Sequence, residues 1–335
     1  MKIVADSKIP YLNGVLEQVA QEVLYVPGTE ITADVVRDAR VLLTRTRTRC
    51  DRALLEGSKV EFIGTATIGT DHIDLDYCHK KGITVVNAPG CNAPAVAQWV
   101  HATILQWIQA KNASGNITLG VVGVGHVGSI VARWAQQLGY RILLNDPPLA
   151  ENYDPQFSIF DPRSSILDLQ RECDIITFHT PLTKDGKYPT WHLCDEAFLK
   201  GLKHCKLILN AARGAVCDNE ALLRWQGDVA LDCWEHEPAI NRELLDKAFV
   251  TTPHIAGYSR QGKQRGTAMI IDALNRYYGW HLPVPEVDKP LLGAADVTPQ
   301  LIIDSYNPLH DTAALKSAPH LFETLRNNYC LREEV

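Results

Sequence analysis

Short apolar runs alternate with helix-like stretches along most of this chain, the arrangement of an α/β protein with parallel sheets. The first block reads strand ("KIVAD"), helix ("LNGVLEQVAQE"), strand ("VLLTRT"), helix ("DRALLEG"), strand ("VEFIGTAT"), helix ("HIDLDYCHKKG") and strand ("TVVNAP"), closing near Asn92. A long apolar helix follows, "APAVAQWVHATILQWIQA", with Trp99 and Trp107 on one face as packing residues. The second block opens at "LGVVGVGHVGSIVARWAQQLG". It continues through the strands "RILLND", "DIITFHT", "CKLILNAA", "DVALD" and "FVTTPH". After His254 the pattern predicts a loop, "IAGYSRQGKQRG", and then a helix, "TAMIIDALNRYYG". Pro283, Pro285 and Pro290 mark a boundary. The last segment, residues 286–335, is too short for a core of its own and is expected to pack on a partner subunit or on the main body.

The turn "GVGHVG" gives the block its first chemistry. Gly123, Gly125 and Gly128 have the G-x-G-x-x-G spacing, after an apolar strand and at the start of an amphipathic helix. The first glycine permits the tight turn, the second lets a pyrophosphate approach the backbone, and the third lets helix and strand pack closely. The amides of His126 and Val127 then stand at the positive end of the helix. The next strand ends in Asp146, an acceptor for a ribose diol that repels a 2′-phosphate. Prolines follow it rather than arginines, so NAD is favoured over NADP.

Three further strand ends carry ionisable residues. Arg213 follows "LILNAA", Glu237 lies in "DCWEHEP" and His254 in "TTPHIAG". The carboxyl ends of strands in an open α/β sheet face the ligand crevice, so the three are expected to converge. Arginine grips a carboxylate with two parallel hydrogen bonds. Histidine exchanges a proton with a hydroxyl near neutral pH. A nearby glutamate favours imidazolium and fixes the ring. With NAD alongside, this set suits oxidation of a 2-hydroxy acid.

Composition narrows the alternatives. The net charge of −6 argues against nucleic acid as a bulk partner, and no apolar run reaches the length of a membrane span. The N-terminus has no signal-peptide pattern, and the nine scattered cysteines fit neither a zinc site nor a disulfide framework. A cytoplasmic protein with reduced thiols is expected. His79, His192 and His204 lack paired ligand spacing, so no metal is expected.

Taken in order and spacing, "GVGHVG", "HTPLT", "NAARGAV", "DCWEHEP" and "PHIAGY" resemble the D-isomer-specific 2-hydroxyacid dehydrogenase family. The resemblance implies that Arg213 binds the substrate carboxylate, that His254 is the acid/base and that Glu237 is its partner. It implies further NAD contacts from Thr180, Asp232 and Gly257. It also implies a Rossmann-type NAD domain, residues 93–254, inside a discontinuous flavodoxin-like substrate domain of residues 1–92 and 255–285. Residues 286–335 would be a short C-terminal dimerisation appendage, making the protein a homodimer.

The stretches "FIGTATIGTDHID", "APGCNAPAVAQWV", "HTPLTKDGKYPTWHL" and "PHIAGYSRQGKQRGT" resemble one branch of that family, whose members act on a phosphorylated 2-hydroxy acid. By that resemblance Thr46, Thr67 and Tyr258 touch substrate and Arg45 meets its phosphate. If the strand persists through "TRTRTR", its arginines and threonines face opposite sides. Arg260, Lys263 and Arg265 add basic charge after His254, with a solvated face as the simpler reading. Oxidation of another acid (3-phosphoglycerate, glycerate or D-lactate) and an NAD-sensing corepressor-like role stay open at this point.

Overall fold

The structure, a computed structural model, describes residues 1–113, 115–155, 160–291 and 296–335. It divides into two compact units, Met1–Asn92 with Ser259–Lys289 and Ala93–Tyr258 with Pro290–Val335.

The first unit is a parallel sheet of β1 (Lys2–Asp6), β2 (Glu22–Val26), β3 (Ala39–Thr44), β4 (Phe62–Thr65) and β5 (Thr84–Val86), in the order β2-β1-β3-β4-β5. That is the flavodoxin-like order. Alternate residues serve opposite layers. Ile3, Ala5, Val41, Leu43 and Phe62 pack with Ile270, Ile271 and Leu274 of the Arg260–Tyr278 helix. Val4, Leu42 and Ile63 pack with Val36, Leu54, Leu55 and Cys78 on the other face.

Three expectations fail in this unit. The helix expected over "LNGVLEQVAQE" is only a short 3-10 turn, Leu16–Gln18. Gly14 has a φ of +80°, outside the helical region, and the residues from Glu22 onward join the sheet as the edge strand β2. The strand expected over "VLLTRT" stops at Thr44, so the condition for two-sided alternation through "TRTRTR" is not met. The loop expected after His254 is mostly helix. Ser259 caps that helix by accepting from the Gly262 amide at 3.0 Å. Gly262 is there for space, since a Cβ on it would sit 2.6 Å from Ser259 Oγ and 3.3 Å from Asn92.

The second unit is a parallel sheet of β6 (Thr118–Val122), β7 (Arg141–Asn145), β8 (Ile175–Phe178), β9 (Leu207–Asn210), β10 (Asp228–Leu231) and β11 (Val250–Thr251), in the order β11-β10-β9-β8-β6-β7. Leu207 and Leu209 face one core layer and Ile208 the other. The Ala93–Lys111 helix is buried around nearly its whole circumference by its own chain, Trp99 and Trp107 included. The winding direction reverses between β6 and β8, which places the ligand crevice beyond their carboxyl ends.

Residues 296–335 pack on this second unit and not apart from it. Val297, Ile302, Tyr306 and Val335 enter one core layer, and Leu315 and Phe322 enter the other. The sequence boundary after His254 also moves. Ile255–Tyr258 stays with the second unit because the Ile255 amide donates to Asp232 Oδ1 at 2.7 Å and Arg332 donates to the carbonyls of Ile255 and Tyr258 at 3.0 and 3.3 Å. The cysteines are free thiols, mostly buried. No helix among the described residues is long and apolar enough to cross a membrane.

Candidate active site

In the second unit the site residues singled out by the sequence lie at the carboxyl ends of β6 to β11, on loops or, for His126, Val127 and Gly128, in the first turn of the helix after β6. Gly123 ends β6 with a φ of +87°, and a Cβ there would lie 2.8 Å from the His179 carbonyl carbon. Gly128 packs so closely that a Cβ would collide with the Gly123 carbonyl oxygen. Gly125 is different. A Cβ there meets nothing within 4 Å, and no side chain caps the helix that starts at His126. The amides of His126 and Val127 therefore border a cradle open to a pyrophosphate. Asp146 accepts from the Val124 amide at 2.8 Å and from the Leu149 amide at 3.1 Å, which ties the end of β7 to the glycine turn.

Two further groups suit a dinucleotide. Thr180, after β8, has a buried hydroxyl without a hydrogen-bond partner. Asp232, after β10, is almost fully buried, and burial pushes its carboxyl above the usual value. Its Oδ1 accepts from Thr252 Oγ1 at 2.6 Å, and that oxygen accepts from Trp99 Nε1 at 3.1 Å. This chain of bonds, with the backbone amides of Ile255 and Ala256, fixes the Asp232 carboxyl. The residues present fit NAD.

Arg213, Glu237 and His254 occupy three successive loops. After β9, the buried Asn210 side chain donates to the carbonyls of Arg213 and Gly214 and accepts from the Ala212 amide, which shapes the turn that carries the arginine. Gly214 lets this turn press against the next loop, since a Cβ there would lie 2.0 Å from the Trp234 carbonyl oxygen. Arg213 is half-buried and directs one nitrogen to the Ala212 carbonyl at 2.8 Å. Glu237 Oε1 accepts from the Trp234 amide at 2.8 Å, and Oε2 meets His254 Nδ1 at 2.8 Å. Burial pushes the Glu237 carboxyl up, but His254, the Trp234 amide and Arg326 outweigh it and hold the group below its usual value. His254 has a φ of +57°, a left-handed conformation that costs about 1 kcal/mol in most residues. Its amide bond to the Asp232 carbonyl, 2.9 Å, holds the backbone there. With Nδ1 facing a carboxylate, Nδ1 carries the proton and Nε2 is left as the acceptor nitrogen of the neutral ring.

The first unit brings other predicted residues together. Arg45 and Thr46 follow β3, and Thr67 follows the adjacent β4. Thr67 Oγ1 lies 2.7 Å from Thr65 Oγ1. Arg45 is ion-paired, with Nε 3.0 Å from Oδ2 of the fully buried Asp6. Asp6 was not singled out in the sequence. Arg49 is exposed and pairs with Asp51, while Arg265 donates to the Cys91 carbonyl.

Sequence reasoning also missed Arg326. It sits in the last turn of the Phe322–Asn327 helix, 3.8 Å from Glu237 Oε2 and 3.3 Å from the Tyr258 hydroxyl. Gly257 lies between the histidine and this tyrosine.

Residues 92–256 match the model of the D-isomer specific 2-hydroxyacid dehydrogenase NAD binding domain. The whole chain is 46% identical to an erythronate-4-phosphate dehydrogenase of Bacteroides thetaiotaomicron and covers 97% of it. It is 40% identical to an erythronate-4-phosphate dehydrogenase of Marinobacter nauticus, again over the whole chain and 93% of the relative. Among solved structures, the NAD-bound 3-phosphoglycerate dehydrogenase of Entamoeba histolytica aligns with 86% of this chain and 99% of its own, with a TM-score of 0.68 and 25% identity. The cradle around Gly125 and the residues after β8 to β11 thus belong to an NAD-dependent oxidoreductase, and the chain is a member of the D-isomer-specific 2-hydroxyacid dehydrogenase family, in its erythronate-4-phosphate dehydrogenase branch.

Proposed function

We propose that the protein oxidises 4-phospho-D-erythronate to 2-oxo-3-hydroxy-4-phosphobutanoate, a step towards pyridoxal 5′-phosphate (vitamin B6). The observation that carries this reading is the 2.8 Å His254–Glu237 pair, on loops neighbouring that of Arg213, in the unit that holds the NAD cradle. The names of the relatives supply the substrate. When bound, NAD supplies the acceptor for the hydride that leaves C2. Arg213 grips the carboxylate with its fork of donors and orients C2. His254 Nε2 takes the proton of the C2 hydroxyl, and Glu237 steadies the imidazolium that results. Gly123, Gly125, His126, Val127, Gly128, Asp146, Thr180, Asp232 and Gly257 hold the cofactor. Arg45, Thr46, Thr67 and Tyr258 contact substrate, with Arg45 on the phosphate.

The test is nicotinamide absorbance with NAD and 4-phosphoerythronate, the 2-oxo product being trapped. 3-Phosphoglycerate and unphosphorylated erythronate run beside it. A rate with the first substrate alone is expected. Equal rates without the phosphate would overturn the substrate assignment and leave the roles of Arg213, Glu237 and His254 in place.

The reading extends to a cytoplasmic homodimer with no nucleic-acid or membrane partner. The ground for the dimer is the resemblance of the tail, which exposes Leu321 near its last helix. Sedimentation at micromolar concentration is expected to give twice the 37.2 kDa chain mass. A monomer would sink the proposal.

A further inference from the structure

The C-terminal tail reaches the acid/base pair through one buried cation. Phe322 and Leu315 are fully buried in the core layer that also contains Trp234, Leu222 and Leu244. That anchor fixes the Phe322–Asn327 helix and aims Arg326 inward. Its side chain is only 13% exposed, with Nη1 3.8 Å from Glu237 Oε2 and Nε 3.3 Å from the Tyr258 hydroxyl. Six residues on, Arg332 is also buried and ties the same tail to the carbonyls of Ile255, Ala256 and Tyr258. A second guanidinium beside a half-buried carboxylate–histidine pair needs a reason, because burial works against its charge. Tyr258 and Glu237 compensate for that cost.

We propose that Arg326 is a positioning residue for the oxidation assigned above, sharing Glu237 Oε2 with His254 and holding the Tyr258 hydroxyl. The inference rests on that functional reading. Among the described residues, the other charged or titratable groups facing the pair are Arg213 after β9 and Asp232 and Cys233 after β10. The Cys233 thiol is pushed up by burial and stays neutral. Arg326 competes with imidazolium for one carboxylate oxygen, so it favours release of the histidine proton. Its second bond fixes the tyrosine ring, which also stacks edge-on with Tyr329 at 6.1 Å.

The experiment compares the pH dependence of the oxidative kcat, and KM for 4-phosphoerythronate, in wild type, Arg326→Gln and Arg326→Lys, each checked for cooperative melting. Loss of the cation leaves Glu237 wholly to His254. The midpoint of Arg326→Gln is therefore expected to move alkaline by about half to one pH unit. Arg326→Lys keeps the charge and the midpoint but loses the Nε donor to Tyr258, so KM rises by about threefold or more. A folded Arg326→Gln protein with the wild-type midpoint overturns the proposal. Should that variant not fold, Arg326→Lys decides, and a wild-type KM there overturns it. A wild-type profile with no step at all would overturn the acid/base reading, and this proposal with it. A wild-type step reproduced by Arg326→Gln sinks only the role of Arg326.

Discussion

Arg213→Gln is expected to lower kcat/KM by about 10²- to 10³-fold, a loss of about 3–4 kcal/mol of transition-state stabilisation. The size follows from the number of bonds removed. A guanidinium offers a carboxylate two charge-assisted hydrogen bonds in one plane, and an amide offers one neutral donor. The fold should tolerate the change. The turn is shaped by Asn210, which bonds the backbone at residues 212–214, and by the close approach of Gly214 to Trp234. Glutamine is two bonds shorter and gives up the 2.8 Å bond from Arg213 Nη1 to the Ala212 carbonyl, which is not among the bonds that shape the turn. NAD affinity should therefore stay within about threefold of wild type, since the cradle around Gly125 does not involve this side chain. Arg213→Lys separates charge from geometry. It restores the charge without the fork and should recover only part of the loss. The measurement is steady-state oxidation of 4-phosphoerythronate, with cofactor binding followed by nicotinamide fluorescence. A glutamine variant within threefold of wild-type kcat/KM would remove Arg213 from the site. A corepressor-like protein, by contrast, should bind its partner unchanged.

The second unit was legible because its chemistry is tied to local rules. A strand followed by G-x-G-x-x-G fixes where phosphate goes. Parallel strands bring their carboxyl ends to one edge, so Arg213, Glu237 and His254 were placed by topology before any distance was known. The first unit was less legible where local pattern and tertiary structure part. "TRTRTR" alternates like a strand, but the hydrogen-bonded ladder ends at Thr44 and Arg45 turns back to the buried Asp6. "SRQGKQRG" has the glycines of a loop, yet Gly262 is a packing glycine inside a helix. Arg326 had no signal at all. Its contact with Tyr258 spans 68 residues and depends on how the tail docks through Phe322. Nothing in the spacing of "LFETLRNN" separates that arginine from a solvated one.

His254→Asn is expected to lower kcat by about 10³- to 10⁴-fold in both reaction directions, with little change in NAD affinity. Asparagine is the informative replacement because the position has a φ of +57°. Asparagine adopts that conformation readily, whereas alanine adds about 1 kcal/mol of backbone cost and would mix stability with chemistry. The variant keeps the amide bond to the Asp232 carbonyl, so the loop that reaches Tyr258 should hold its course. What it removes is the group proposed to take and return the hydroxyl proton. The sign of the pH dependence follows. Oxidation needs neutral imidazole to receive the hydroxyl proton, so the wild-type oxidative rate should rise with pH through the histidine step. Reduction needs imidazolium, so its rate should fall across the same range. Glu237 does not supply this step, because its carboxyl is held below the usual carboxylate value and is ionised throughout. Asp232 is pushed up by burial, and with the cofactor-binding role proposed for it, it should affect NAD binding in place of proton transfer. In His254→Asn the residual rate should lose the step in both directions. A reductive rate that climbs with pH in the wild type, or a variant that keeps the wild-type step, would take the proton away from His254 and leave the pair with Glu237 as scaffolding only.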